Sequence, residues 1–236
     1  MKRKIIAFLF KAVLSTSLQA QIAIGLSAGI TNNYIKTNIN SLSYTKNQSE
    51  NGLIIGVPIQ YTINTSFFFK TSFIFLQKNY AYIRTSSYTG IYTKFNNTYV
   101  QLPVMAGWVY GHKKIKGEVL AGAYGAYWLQ ARIKGKIPNI YSVTDSINSN
   151  GQTTETFGLS SFNKKYSFDA HKDKRFEFGL AAGLGCSYAI NAGNYLTIEA
   201  NYFHSLTDQQ KNYMVTQQQR FNQTLTVCVG YRYQLP

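Results

Sequence analysis

The run Phe176–Ile190 reads FEFGLAAGLGCSYAI. Alternate positions Phe176, Phe178, Leu180, Ala182, Leu184, Cys186, Tyr188 and Ile190 are apolar, and between them stand Glu177, Gly179, Ala181, Gly183, Gly185, Ser187 and Ala189. A period of two marks a β-strand, because successive side chains leave opposite faces. The bulky face here is the apolar one, and the other carries little beyond glycine, alanine and short polar groups. Two architectures accept such a strand. A soluble sandwich turns the bulky face onto a second sheet, whereas a small transmembrane barrel turns it out to lipid and crowds small groups into a narrow interior.

The rest of the chain bears on that choice. It begins MKRKIIAFLFKAVLSTSLQAQ: a basic start (Lys2, Arg3, Lys4), an apolar stretch from Ile5 to Leu14 and a small-residue exit at Ala20. This predicts a secretory signal peptide over residues 1–20, with a short amphipathic helix as the alternative, and one domain over 21–236. No window offers the roughly 20 uninterrupted apolar residues of a spanning helix, so a membrane form would cross as strands. The formal net charge is +15. Nucleic acid is disfavoured as the counter-charge, since an exported chain meets little of it and no arginine-rich helix or stacking platform is present. Anionic lipid phosphates are favoured. The 19 Tyr and 15 Phe fit the same setting, because tyrosine in particular suits the interface where one end of the ring is wet and the other apolar.

Eight segments alternate, near Ile22–Ile30, Leu53–Ile63, Phe67–Lys78, Asn97–Tyr110, Ile115–Ala131, Arg175–Ile190, Tyr195–Leu206 and Phe221–Tyr233. The third is the least regular, with Phe67, Phe68 and Phe69 placing aromatics on both faces. Connections alternate between tight turns (Asn64-Thr65-Ser66, the GHKK stretch from Gly111, Asn191-Ala192-Gly193-Asn194) and long polar segments (31–51, 79–96, 132–174 and 207–220). Short turns on one side and long loops on the other, with an even strand count, describe an all-β, eight-stranded antiparallel up-and-down transmembrane barrel with periplasmic turns and extracellular loops. Its interior would be filled by side chains, which disfavours a solute pore. Pro58 and Pro103 inside strand patterns predict local breaks in pairing. Cys186 and Cys228 fall on opposite faces of strands separated by a third, out of reach of a disulfide, and read as packing residues.

The fourth and fifth strands with their turn, TYVQLPVMAGWVYGHKKIKGEVLAGAYGAYWLQA, the sixth strand FEFGLAAGLGCSYAI, and then YLTIEANYFHSLTD and TLTVCVGYRY resemble, in order, the corresponding pieces of the PorT-like outer-membrane β-barrel family of Bacteroidetes. The likeness spans essentially residues 21–236. Gln101 stands where that family often carries an acid before the leucine-proline pair, and Gln234-Leu235-Pro236 follow Tyr233 where such barrels usually stop at an aromatic. The resemblance implies a bacterial outer-membrane location after export, no enzymatic activity, and in some members a link to secretion of proteins to the cell surface.

By face assignment Lys70, Glu118, Glu177, Glu199 and Arg232 point inward, where a charge is tolerable only when paired and hydrogen-bonded. A structural ion network is the first reading and a proton path or buried acid–base pair the second. Arg132, Lys134, Lys136, Lys174 and Arg175 sit at the two feet of the longest loop, placed either to neutralise lipopolysaccharide phosphates or simply to solvate the loop. The Ser/Thr/Asn-rich stretch Ser142–Ser161 reads as a mobile loop able to meet a partner protein. His204-Ser205 with Asp208 superficially offers a hydrolytic set, but adjacent strand residues face opposite sides. His112 falls in a turn, and His171 lies in the longest loop beside Lys172. No phosphate-binding glycine loop or Cys/His cluster with zinc spacing is present, so neither cofactor nor metal is expected.

The favoured reading is therefore a non-enzymatic outer-membrane barrel contacting outer-membrane lipid, lipopolysaccharide or an envelope or secretion-system protein. A barrel hydrolase acting on lipid or peptide is a lesser alternative. An exported soluble sandwich or calycin-type ligand carrier is the rival fold.

Overall fold

The computed structural model describes residues 21–37, 44–111, 114–147, 153–214 and 217–236, with side chains left out at 140, 144–147 and 153–157. The expected signal peptide over 1–20 and the turn residue His112 lie outside the described residues. The strands are β1 (Gln21–Thr37), β2 (Thr45–Thr62), β3 (Phe67–Gln77), β4 (Tyr80–Arg84), β5 (Tyr92–Tyr110), β6 (Ile115–Ile147), β7 (Thr153–Lys165), β8 (Phe176–Asn191), β9 (Asn194–Ser205) and β10 (Arg220–Gln234). Eight of them, β1-β2-β3-β5-β6-β8-β9-β10, pair antiparallel in succession, and β10 returns to β1 to close a ring. Each alternating segment of the sequence supplies one ring strand.

Outside the ring the polar segments are not simple loops, which corrects the expectation for 31–51, 79–96 and 132–174. The upper end of β1 pairs with β2 through Asn33↔Glu50, β4 bridges β2 and β5, and the upper half of β6 (Arg132–Ile147) pairs with β7. Ser142–Ser161, expected to be mobile, includes the end of β6 and most of β7, with residues 148–152 outside the described residues. β6 runs 33 residues, far beyond the roughly 9–11 that cross a membrane. An asymmetric wall results, tall along β1-β2-β4-β5-β6-β7 and low where β8 and β9 end at Phe176 and Ser205.

The ring carries its large apolar groups outward. Leu26, Phe73, Val104, Leu184, Ile198 and Val229, on six different ring strands, are each more than half exposed. Aromatics gather at the short-turn end, with Tyr61, Trp108, Tyr110, Tyr188 and Tyr231 exposed and Phe67 stacked on Trp108. Such a belt is costly in water and favourable in lipid. Inward, Phe68, Met105, Leu120, Tyr124 and Phe203 fill the centre, leaving a void of about 30 Å³ between Lys70, Ser72, Met105, Glu199 and Phe203. The short-turn end opens into a vestibule of about 910 Å³ lined by Gln60, Val109, Lys116, Glu118, Tyr195 and Arg232.

The turns follow from their residues. The Asn64 side chain accepts from the amides of Ser66 and Phe67 at 2.9 and 2.8 Å, an Asx turn that tightens the β2–β3 connection. Gly193 takes a φ of 111° in the β8–β9 turn, a conformation open to glycine at no steric cost. The β1–β2 ladder lapses between Ile24↔Ile59 and Ser27↔Gly56, beside Pro58, and the β3–β5 ladder lapses between Thr71↔Val104 and Ile74↔Gln101, beside Pro103. Both interruptions fall where a ring nitrogen has no proton to give. Cys186 faces outward and Cys228 inward, both free, with Ile198 and Glu199 of β9 between them.

Candidate functional site

Three ion pairs cross the lumen at successive heights. Nearest the vestibule, the Arg232 guanidinium on β10 donates to both Glu118 oxygens on β6, at 2.7 and 3.4 Å, and also to Gln60. In the middle, the Lys70 ammonium on β3 meets Glu199 on β9, half the ring away. At the far end Lys78, just past β3, lies 2.5 Å from Glu177 on β8. That last carboxylate also accepts from the Tyr124 hydroxyl at 2.7 Å and the Asn222 amide at 2.6 Å. The Lys78 ammonium sits 4.9 and 4.8 Å over the Tyr99 and Tyr124 rings. Each pair joins strands that are not neighbours in the ring, so the charges act as cross-braces. Burial of a charge is offset only by such complete pairing.

Lys78, Tyr99, Tyr124 and Asn222 were not singled out in the sequence. Lys78 was legible, because Lys70, Ser72, Ile74, Leu76 and Lys78 share one parity, and its place at the ragged end of the third segment hid it. Gln101 is fully buried on the inner face of β5.

Above Lys78 the mouth is closed. Tyr80 stacks on Phe95, and Trp128 stacks on both Tyr99 and Tyr166. Over this tier the β7–β8 and β9–β10 connections are stitched together, with the Lys174 and Lys211 amides donating to the Gln209 and Lys172 carbonyls at 3.0 and 2.8 Å. Gln209 reaches down from that seam, its amide donating to the Tyr99 hydroxyl at 3.0 Å and its oxygen accepting from Tyr80 at 3.3 Å. Asp173, itself buried, accepts from the Tyr166 hydroxyl at 2.9 Å and the Asp169 amide at 2.8 Å. Burial, reinforced by that bond to Asp173, raises the Tyr166 phenol above its ordinary pKa. The His171 amide bonded to Asp169 holds that carboxyl below the usual carboxylate range.

The basic residues divide. Between Thr98↔Gln130 and Tyr99↔Trp128 the β5–β6 register shifts, leaving Leu129 as an extra residue. A bulge reverses which parity faces out, so Arg132, Lys134 and Lys136 all project from the outer face of the wall and are exposed. In register beside them, Arg132 opposes Lys165, and Lys134 opposes Lys94. Lys94 is bonded to Glu50 at 2.7 Å. Among the described residues, no acidic partner lies within salt-bridge distance of Arg132, Lys134, Lys136 or Lys165. Arg175 differs. Its guanidinium donates to the Trp128 and Leu129 carbonyls at 3.0 and 3.2 Å and packs over Tyr127 and Phe168, so it braces the bulge. Lys174 next to it is exposed.

The hydrolytic candidates point apart. Ser205 is buried and donates to the Thr207 carbonyl at 2.9 Å, whereas a His204 ring nitrogen lies 3.4 Å from the Gln223 amide. Asp208 accepts from the Gln210 and Arg220 amides, both at 3.0 Å. His171 is exposed on the β7–β8 connection.

A family model described as outer membrane protein beta-barrel domain matches residues 16–210. The chain belongs to that family. As an outer membrane protein beta-barrel it lies in the bacterial outer membrane, with the short turns in the periplasm and the wall outside. No curated protein matches the chain by sequence. Similar solved structures are barrels of low identity. The outer membrane protease OmpT from Escherichia coli is 8% identical with a TM-score of 0.50, over 93% of this chain and 99% of that one. OprG from Pseudomonas aeruginosa is 10% identical with a TM-score of 0.48, over 90% and 95%. Ail of Yersinia pestis, in complex with the heparin analogue sucrose octasulfate, is 16% identical with a TM-score of 0.41, over 90% and 99%.

Proposed function

We propose that this barrel is a non-enzymatic surface protein whose outer wall binds phosphate groups of lipopolysaccharide in its own membrane. One observation carries the reading: the in-register basic pair Arg132–Lys165, with Lys134 and Lys136 above it on the same exposed face. Like charges directly opposed across strands are destabilising. An anion held between them removes that repulsion, and phosphate matches arginine and lysine donors. The face stands above the apolar belt, at the height of the sugars and phosphates that surround an outer-leaflet barrel. The centre of the lumen and the extracellular mouth are filled by side chains, which supports placing function on the wall. The internal ion pairs serve to fix the ring.

The test is binding of purified lipopolysaccharide to the barrel in detergent at rising salt. Wild type should lose affinity as salt rises, and Lys134→Glu with Lys136→Glu should weaken binding about tenfold or more while migration of the unboiled protein is unchanged. Binding unaffected by both would remove the reading.

A second reading is that of an accessory to a surface protein-secretion system, as the PorT-like resemblance implies. The outer edge of β7, paired only through β6 among the described strands, favours it, because an open strand edge is a ready docking surface. Deletion of the gene would then strip exported proteins from the cell surface. The hydrolase reading ranks last, since His204, Ser205 and Asp208 each bond elsewhere. It requires that His204→Ala abolish an activity on lipid or peptide.

A further inference from the structure

The lipid-facing wall is not smooth where β6 passes between β5 and β8. There β6 presents Ala123 and Gly125, and the flanking strands present Val100, Leu102 and Val104 on one side and Phe176 and Phe178 on the other. The recess measures about 750 Å³, within the range of roughly 300–1,000 Å³ of ligand clefts. Ala123 and Gly125, both small, keep its floor low. A Cβ at Gly125 would meet nothing nearer than the Phe178 ring at 3.8 Å, so the space over this glycine is open rather than packed.

The chemistry changes along the recess. Most of it is aliphatic and aromatic, and at the extracellular end Lys174 and Thr207 line it. The Lys174 main chain is fixed by its bond to Gln209, and Thr207 is held by bonds to the Phe178 amide and carbonyl at 2.9 and 3.2 Å. The one acid at the border, Glu177, turns into the lumen and is engaged by Lys78, Tyr124 and Asn222. Arg175 is spent on the bulge carbonyls. Among the described residues no carboxylate lies within salt-bridge distance of Lys174, so its ammonium stands at the head of an apolar slot whose open side faces the bilayer.

We propose that this recess holds one acyl chain of a phosphorylated glycolipid of the outer leaflet, of lipid A type, with a headgroup phosphate on Lys174. Bulk lipid touches a smooth barrel from one side only. A chain in this slot is contacted by β5, β6 and β8 together, so each methylene buries more surface than in the bulk. The position of Lys174 fixes the leaflet, since the slot closes at the extracellular headgroup level, and the charge fixes an anionic headgroup. The proposal deepens the lipopolysaccharide reading by naming the lipid half of the same molecule, yet it rests on different residues from the basic wall.

Native mass spectrometry of the folded barrel released from detergent tests it, with three probes added separately: lipid A, phosphatidylglycerol, and phosphorylated core oligosaccharide without acyl chains. Wild type should retain one lipid A. Gly125→Leu, which fills the slot, should lower retention about tenfold or more, and Lys174→Glu should lower it about threefold or more. Ala28→Leu, adding bulk to the lipid face of β1 across the ring, should leave it unchanged. Migration of unboiled samples verifies that every variant is folded. Retention by Gly125→Leu equal to wild type would overturn the proposal, and so would an equal loss in Ala28→Leu. Phosphatidylglycerol held as firmly as lipid A would overturn the glycolipid assignment. Core oligosaccharide should depend on Lys134 and Lys136 and not on Gly125, so the slot and the basic wall fail independently.

Discussion

The ring and the wall above it are one continuous sheet built under two different rules. Within the ring each strand separates lipid from a crowded lumen, and the sequence alternates accordingly, with Phe178, Leu180 and Leu184 outside and Glu177, Gly179 and Gly183 inside. In the wall the outer face meets water and the inner face meets the aromatic tier at the mouth, and the same β6 strand reads Arg132-Ile-Lys-Gly-Lys-Ile-Pro-Asn139, with Arg132, Lys134 and Lys136 exposed and Ala131 and Gly135 buried. Alternation persists there with its sign reversed, because water has replaced lipid outside. The comparison shows that period two in this chain reports a contrast between environments, and that the polar or apolar character of the outer side reports which solvent lies there.

Removing half of a lumenal pair should produce the largest effect. Glu177→Leu leaves the Lys78 ammonium buried among Tyr99 and Tyr124, and should cost about 3–5 kcal/mol in urea unfolding of the reconstituted barrel. Lys78→Met combined with Glu177→Leu should recover most of that loss, because both charges go together. A double variant as unstable as the single one would show that the brace acts through something other than charge pairing.

The junction of the two regions is the next place to press. Arg175 bonds to both carbonyls released by the bulge at Leu129. Arg175→Ala should cost about 1–3 kcal/mol, and Arg175→Lys should recover little, because an ammonium lacks the planar fork that reaches two carbonyls. Full rescue by lysine would blur the boundary drawn between ring and wall.

The wall itself should be dispensable for closure. Replacing residues 137–159 with a two-residue turn removes only β6–β7 pairing, and the shortened barrel should still give a compact unboiled band, with stability changed by about 1 kcal/mol or less. Failure of that variant to close would merge the two regions into a single folding unit.

The smallest effect concerns Asp169. Its carboxyl is held below the usual range by the His171 amide, with Lys172 adding to the effect. A depressed folded-state pKa contributes order that is present above the ordinary carboxylate pKa and fades as pH falls through the depressed one. Amide exchange at His171 and Asp173 should therefore quicken on acidification into that window, and Asp169→Asn should abolish the dependence while leaving the ring untouched.

Much of the ring was legible because each residue's environment is local to its strand. Glu118, Glu177, Glu199 and Arg232 stand on the inner parity of their own segments, so their direction follows from a short stretch of sequence. Their partners do not. Glu177 could have faced Lys70 as readily as Lys78 until the stagger of the ring placed β8 against the end of β3. The basic cluster was legible as a group of residue types, but its division was not. Arg175 became a brace and Arg132, Lys134 and Lys136 a surface only through a bulge at Leu129, which leaves no mark in hydrophobic periodicity.

By itself the sequence determined that eight strands cross, which face of each meets lipid, and that the interior would be filled by side chains. Those properties follow from side-chain contrast over a few consecutive residues, and water and lipid enforce that contrast wherever the strand lies. Tertiary structure alone decided which charges brace the lumen, how the polar connections rise into a wall, and where β5, β6 and β8 leave a slot over Gly125. Each of these depends on stagger and closure between segments far apart in the chain, and no local pattern records them.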